Sequence, residues 1–281
     1  MRGKAVLITG ATSGIGKATA LELADMGATV VIIGRDQEKG KRVMEEIASA
    51  TGNQALDFIK CDLASLDEVK KAASEFRSRY QRLDVLIDNA GGVNGHRKVT
   101  IDGNEYTFGV NHLAHFLLTN LLLDLLKASA PSRVVVVSSA AHGNGHIDFE
   151  DLMSEKRYGT FRAYSQSKLA NAVFAFELAR RLKGTGVTVN ALHPGLVRTN
   201  FSKGLGRGGI ALYSILSILT ISAKKGAQTS IYLASSPEVA NVTGKYFAKR
   251  RVKESSPESK DEVVAKRLWE VSEQLTKRWL P

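Results

Sequence analysis

The chain has a single cysteine, Cys61, among its 281 residues. No intrachain disulfide can form, and nothing points to an oxidising compartment. Cys61 ends an apolar run and reads as a small buried thiol. Long hydrophobic runs are missing too. The longest uncharged stretch covers residues 208–223, which as helix would extend about 24 Å against the ~30 Å of a bilayer core. The apolar run 4–9 follows Met1 almost at once, so neither a signal peptide nor a leading membrane helix is expected, and a soluble, cytoplasmic protein is. No internal repeat, low-complexity tract or linker divides the chain, which predicts one domain over 1–281. No His/Cys/carboxylate grouping has ligand spacing, so no metal is expected.

What is present is ordinary for a folded domain: 43% hydrophobic and 24% charged residues. The net charge of +11 could serve nucleic acid, an anionic surface or a polyanionic cofactor. Its densest cluster, Lys245, Lys249, Arg250, Arg251 and Lys253, comes without zinc-finger spacing, RNP-type aromatics or heptads. Nucleic acid is therefore not the expected partner.

Short β-branched runs at 5–9, 29–33, 55–60, 85–88, 133–138, 187–192 and 245–248 alternate with helical patterns. The helices are predicted at 15–26, 37–50, 66–80, 104–127, 163–183, 226–235 and about 260–278. Such alternation predicts an α/β fold: a Rossmann-type doubly wound domain with a seven-stranded, mainly parallel sheet and helices on both faces. Two segments break the rhythm, 143–162 and 202–223, and both follow strand ends where open α/β sheets bind ligands.

After the first strand, Gly10, Thr12, Ser13, Gly14, Ile15, Gly16 and Lys17 lead into a helix. Glycines there allow a tight turn, and the helix N-terminus offers N–H groups to a pyrophosphate. The second strand ends Gly34-Arg35-Asp36. Without a carboxylate at the tip to grip a ribose 2′-OH, and with Arg35 and Lys17 in reach of a 2′-phosphate, NADP(H) is expected in preference to NAD(H). The alternative is that both cations are solvated and Asp36 caps the next helix.

Tyr164 and Lys168 stand four apart, on one face of a predicted helix. The ammonium is expected to hold down the phenol's pKa, so that Tyr164 can exchange a proton near neutrality. Residues 210–221 carry Ser214, Ser217 and Thr220 as a polar stripe on an apolar helix. That segment suits a lid for a hydrophobic aldehyde, ketone or alcohol; a packing helix or shallow contact with a membrane surface are the other readings.

The motifs Thr9-Gly10 to Gly16, Cys61-Asp62-Leu63, Asp88-Asn89-Ala90-Gly91, Val110-Asn111-His112, Val137-Ser138-Ser139, Tyr164 to Lys168 and His193-Pro194-Gly195 together resemble the short-chain dehydrogenase/reductase superfamily. Tyr164 to Asn171, Glu177 to Leu182, Gly226 to Ser230 and Gly244 to Phe247 are similar to its retinol-dehydrogenase-like branch. The resemblance implies a catalytic tetrad of Asn111, Ser139, Tyr164 and Lys168, with Ser138 the rival for Ser139's role. It implies that Asp62 and Leu63 flank the adenine and that Asn89, Ala90 and Gly91 line the adenine ribose side. Thr199 would meet the carboxamide, and Pro194 and Gly195 would shape the loop beneath the nicotinamide ring. Asn111 would hold a water linking Lys168 to solvent, and a homodimer or homotetramer would pair through 104–127 and 163–183. Asp88 replaces the family's usual asparagine. His193 reads as structural; His142 is a surface-loop residue or a substrate contact. A catalytically idle NADP(H)-binding sensor or interaction module is the competing class, against which the intact tetrad argues.

Overall fold

The strand-forming runs pair into one sheet in a computed structural model that describes residues 1–195 and 221–280. Its order is β3-β2-β1-β4-β5-β6-β7-β8. The strands are β1 (Ala5–Thr9), β2 (Thr29–Gly34), β3 (Leu56–Lys60), β4 (Val85–Asp88), β5 (Ser132–Val137), β6 (Val187–His193), β7 (Lys245–Ala248) and β8 (Arg251–Lys253). β1 to β7 are mutually parallel and β8 pairs antiparallel with β7. The order reverses between β1 and β4, and the crevice beyond their C-terminal ends is where a doubly wound sheet receives a ligand.

Among the described residues the sheet has eight strands rather than the expected seven. The basic cluster forms a two-residue hairpin turn, with Lys249 and Arg250 both left-handed (φ 53° and 60°). Such a turn normally uses Asn-Gly or Asp-Gly, so its sequence carries no hairpin signal.

The central strands β1 and β4 are buried on both faces, because each face is covered by helices. Val6 and Ile8 pack with α1 (Gly14–Asp25), α2 (Gln37–Thr51) and α8 (Ala223–Ser235) through Leu23, Ile47 and Leu233. Leu7 belongs to the opposite core, with Val69 and Phe76 of α3 (Leu66–Arg79), Leu117 of α5 (Ala114–Leu121) and Leu178 of α7 (Thr160–Arg181). The last helix, α9 (Glu262–Thr276), is capped by Asp261 and lies across α5 and α7. Its Trp269 meets Phe116 edge-on at 4.9 Å and stacks on Phe174 at 5.9 Å, while Trp279 Nε1 donates to Asp67 at 2.7 Å. One face of α5 and of α7 thus carries a helix of their own chain.

The expected helix 104–127 is interrupted. A short turn α4 (Tyr106–Phe108) runs into a π-helical turn Gly109–Leu113, then α5 and α6 (Leu123–Ala128). The wide turn is where Asn111 leaves the regular ladder, its side chain taken up by Gly92. Most of segment 202–223, with Thr199, lies outside the described residues.

Candidate active site

At the end of β1, Gly10 and Gly14 adopt left-handed backbone (φ 68° and 57°) that any other residue would adopt at a cost. Gly16 is required for a different reason: a Cβ there would lie 2.5 Å from Asn89 Nδ2 and 2.7 Å from the Gly10 carbonyl. The helix that follows starts at Ser13, whose side chain makes no cap hydrogen bond, and its first turn holds no carboxylate. The N-termini of α2 and α3, by contrast, are closed by Asp36 and Ser65. Open N–H groups, positive dipole end and room beside glycine fit a pyrophosphate. Thr12 packs where a Cβ on Gly34 would sit, 2.8 Å away, so the bare strand tip follows from the loop's own bulk.

The loop is tied to β4 by one hydroxyl. Thr9 Oγ1 accepts the N–H groups of Asn89 and Ala90, each at 2.9 Å, and donates to His115 Nε2 at 2.8 Å. His115 in turn gives its Nδ1–H to the Asn111 carbonyl at 3.0 Å. Burial lowers its pKa to about 4, which keeps it neutral and able to play both parts. Sequence reasoning missed this histidine; its signal was a polar residue on the α5 stretch directed at the core. Asn89's amide donates to the Thr9 carbonyl at 2.7 Å, so its side chain holds the loop. Asp62 closes its own turn on the Ala64 N–H at 3.0 Å, beside buried Leu63.

The four tetrad positions converge. Asn111 Oδ1 accepts the Gly92 N–H at 2.9 Å, and its amide donates to the Gly92 carbonyl at 3.0 Å and Ser167 Oγ at 2.9 Å. Only a second lone pair on Oδ1 is left for water. A Cβ on Gly91 would meet Lys168 Nζ at 2.9 Å and Asn111 Oδ1 at 3.3 Å. Lys168 Nζ donates to the Val137 carbonyl at 3.0 Å and stands 5.9 Å from the Tyr164 ring centre. The rival serine faces away, since Ser138 Oγ donates to the Lys168 carbonyl at 2.6 Å. Ser139 is the serine that hydrogen-bonds the Tyr164 phenol.

The electrostatics depart from expectation. Burial raises the Tyr164 pKa above its ordinary value, and the Ser139 hydrogen bond recovers only part of this. Burial also lowers Lys168 to about 8, so it stays mainly charged at neutral pH and loses its charge just above it. The depressed phenol expected from spacing alone is not what this burial produces.

Lys17 pairs with Glu46 of α2 and is not a free cation. Arg35 is exposed, and its Nη1 donates to the Tyr106 hydroxyl at 3.5 Å. Asp36 accepts the Lys39 N–H at 3.0 Å as the α2 cap. Gly195, after Pro194, is left-handed (φ 96°) against Ile221. His142 is a buried residue packed on Tyr246 at 4.5 Å rather than a surface-loop one.

A glycine-loop phosphate cradle and a Ser/Tyr/Lys/Asn cluster across one switch point define the class of nicotinamide-dinucleotide oxidoreductases. Residues 4–208 match the family model described as short chain dehydrogenase. The chain belongs to this family, whose members are oxidoreductases using NAD(P)(H) on CH–OH groups. It is 48% identical to human retinol dehydrogenase 13 over 279 residues, covering 97% of this chain and 84% of that protein. It is 49% identical to mouse retinol dehydrogenase 14 over 286 residues, covering 97% and 86%. Among solved structures it resembles an uncharacterised protein from Mycobacterium paratuberculosis (TM-score 0.81, 38% identity, 100% and 96% covered). It also resembles the Pseudomonas aeruginosa RhlG/NADP active-site complex (TM-score 0.71, 26% identity, 88% and 94% covered). Among the described residues no helix is long and apolar enough to cross a membrane.

Proposed function

We propose that this chain is an NADP(H)-dependent oxidoreductase that interconverts a hydrophobic aldehyde or ketone and its alcohol, with Tyr164 as general acid and base. The observation that carries the reading is the Ser139–Tyr164 hydrogen bond, set beside Lys168 and Asn111 at the mouth of the glycine cradle. The bound nicotinamide would supply or accept the hydride. In the reducing direction Tyr164 gives its phenolic proton to the carbonyl oxygen, and in the oxidising direction it takes that proton from the alcohol. Ser139 donates to the same oxygen and orients it. Lys168, mainly charged at neutral pH, stabilises the phenolate; its Nζ is 5.9 Å from the Tyr164 ring centre and against Gly91. Asn111 holds the Gly92 peptide and keeps its remaining lone pair for a proton-relay water.

One feature supports NADP(H): the β2 tip ends in Gly34 without a carboxylate and is followed by Arg35. The names of the relatives, retinol dehydrogenases 13 and 14, support a retinoid-sized apolar alcohol or aldehyde. The test is reduced-nicotinamide consumption with retinal and medium-chain aldehydes, in wild type, Tyr164→Phe and Arg35→Ser, with NADPH and with NADH. Turnover should fall ~10²–10⁴-fold in Tyr164→Phe. Arg35→Ser should raise the KM for NADPH ~10–100-fold and leave that for NADH unchanged, as expected for loss of a charge-assisted phosphate contact. Undiminished turnover in Tyr164→Phe would overturn the mechanism, and equal effects on both coenzymes would overturn the preference.

A further inference from the structure

Ser139 stands where the chain leaves β5, in extended backbone (φ −157°, ψ 157°) that opens the 3-10 turn Ala140–Asn144. A hydroxyl at such a point is aimed only as well as the peptide that carries it. The peptide between Ser139 and Ala140 is held at both ends by imidazole rings. Its carbonyl, that of Ser139, accepts the ring Nδ1–H of His142 at 2.7 Å, and also the His142 backbone N–H at 3.1 Å. Its N–H, that of Ala140, donates to His193 Nδ1 at 3.1 Å.

The partners determine the tautomers. A carbonyl only accepts, so His142 carries its proton on Nδ1; its Nε2 then accepts the Ser256 N–H at 3.1 Å. His193 accepts on Nδ1 and so carries its proton on Nε2. Both rings must be neutral for every contact to stand. Burial favours this, lowering His142 below the ordinary histidine value and His193 to about 4. The charge of a protonated His142 would add to the burden on His193, and the ring of Tyr246 packs on His142 at 4.5 Å.

We infer that His142 and His193 are positioning residues for Ser139, clamping the Ser139–Ala140 peptide so that the serine hydroxyl points at Tyr164. The inference rests on the reading of Ser139 as a catalytic residue given above. The clamp is also anchored from afar. Ser256 belongs to the segment after β8, and two residues on, Glu258 accepts the Ile147 N–H at 2.9 Å. The C-terminal segment therefore grips the loop that follows Ser139 at two points.

The experiment is a side-chain series at His142, read as kcat, nucleotide Kd and Tm. Asparagine carries an N–H near the Nδ1 position and keeps the Ser139 contact. Glutamine reaches the Nε2 position and loses it. Phenylalanine keeps the ring volume against Tyr246 and loses every hydrogen bond. The clamp predicts kcat in the order asparagine, glutamine, phenylalanine, with asparagine within ~5-fold of wild type and phenylalanine ~10–100-fold down. Nucleotide Kd should be unchanged throughout. A packing role predicts the reverse order, and that result overturns the clamp. Ser139→Ala combined with His142→Phe should be no slower than Ser139→Ala alone; multiplicative losses would mean that His142 acts by another route. If His142→Phe does not fold, equal kcat for the asparagine and glutamine variants is the overturning result. Full activity in Ser139→Ala, with impaired His142 variants, would sink the serine's assignment instead and leave the histidines a different task.

Discussion

Asp88 offers the sharpest test of the buried electrostatics. It occupies the last position of β4 with no exposure, accepts the Thr119 hydroxyl on Oδ2 at 3.0 Å, and has no partner for Oδ1. Burial pushes its pKa up to about 8, against 3.8 for an unperturbed aspartate. The sign follows directly. Between those two values the folded chain keeps a proton that the unfolded chain has released, so stability is highest at low pH and falls as pH rises toward 8. At ~1.4 kcal/mol per pH unit, the loss from pH 5 to pH 8 is on the order of 3–4 kcal/mol. Asp88→Asn has the shape of the neutral acid and cannot ionise, so its curve lacks this slope. The quantity to measure is the difference in urea unfolding free energy between variant and wild type at each pH. Subtraction is needed because buried His112 and His115, lowered to about 3 and about 4, make stability rise with pH below ~6.5 in both chains. The difference should grow by about 3 kcal/mol in the variant's favour from pH 5 to pH 8. A difference constant to ~0.5 kcal/mol would show that the folded chain releases the Asp88 proton as readily as the unfolded one.

Gly16→Ala places a methyl 2.5 Å from Asn89 Nδ2 and 2.7 Å from the Gly10 carbonyl. It should weaken NADPH binding at least ~10-fold in a fluorescence titration and cost ~1–3 kcal/mol of stability; unchanged Kd would contradict the close approach. Trp269→Ala removes the side chain packed on Phe116 and Phe174 under the Arg181 guanidinium. A loss of ~3–5 kcal/mol in urea unfolding is expected, and a loss below ~1 kcal/mol would mean that α9 is not part of the core. Replacing Lys249-Arg250 by Asn-Gly relieves two left-handed non-glycine residues. It should raise stability by ~1 kcal/mol, and a fall would point to side-chain contacts that outweigh the strain.

Much of this was readable because the informative signals are local. Ala5 to Ile8 and Val85 to Ile87 are apolar throughout, so strands buried on both faces could be recognised by composition. The glycine loop and the Tyr164/Lys168 pair are each contained within a few residues. What escaped depends on distance. Lys17 looked like a phosphate contact, but its counter-charge, Glu46, is 29 residues away on a neighbouring helix. The expected depression of Tyr164 counted only the neighbouring ammonium, whereas both groups are buried and burial dominates. The π turn was invisible because Asn111 leaves the helix to reach Gly92, 19 residues earlier. The Lys249-Arg250 hairpin was missed because its residues are poor turn formers held in place by the β7–β8 pairing. His142 and His193 lie 51 residues apart by number, and only the adjacency of β5 and β6 brings them to one peptide.

The place of α9 bears on how the chain is made. Trp269 and Trp279 close the same core that begins with Leu7 of β1, and the Trp279–Asp67 bond spans 212 residues. These residues leave the ribosome after the rest of that core has been made. Until then Phe116 and Phe174 lack the cover of Trp269, and an apolar face of the chain stays open. Such long-range closure is slow and exposes the nascent chain to association. Removal of the helix that completes the core should therefore be more damaging than removal of an exposed segment of equal length.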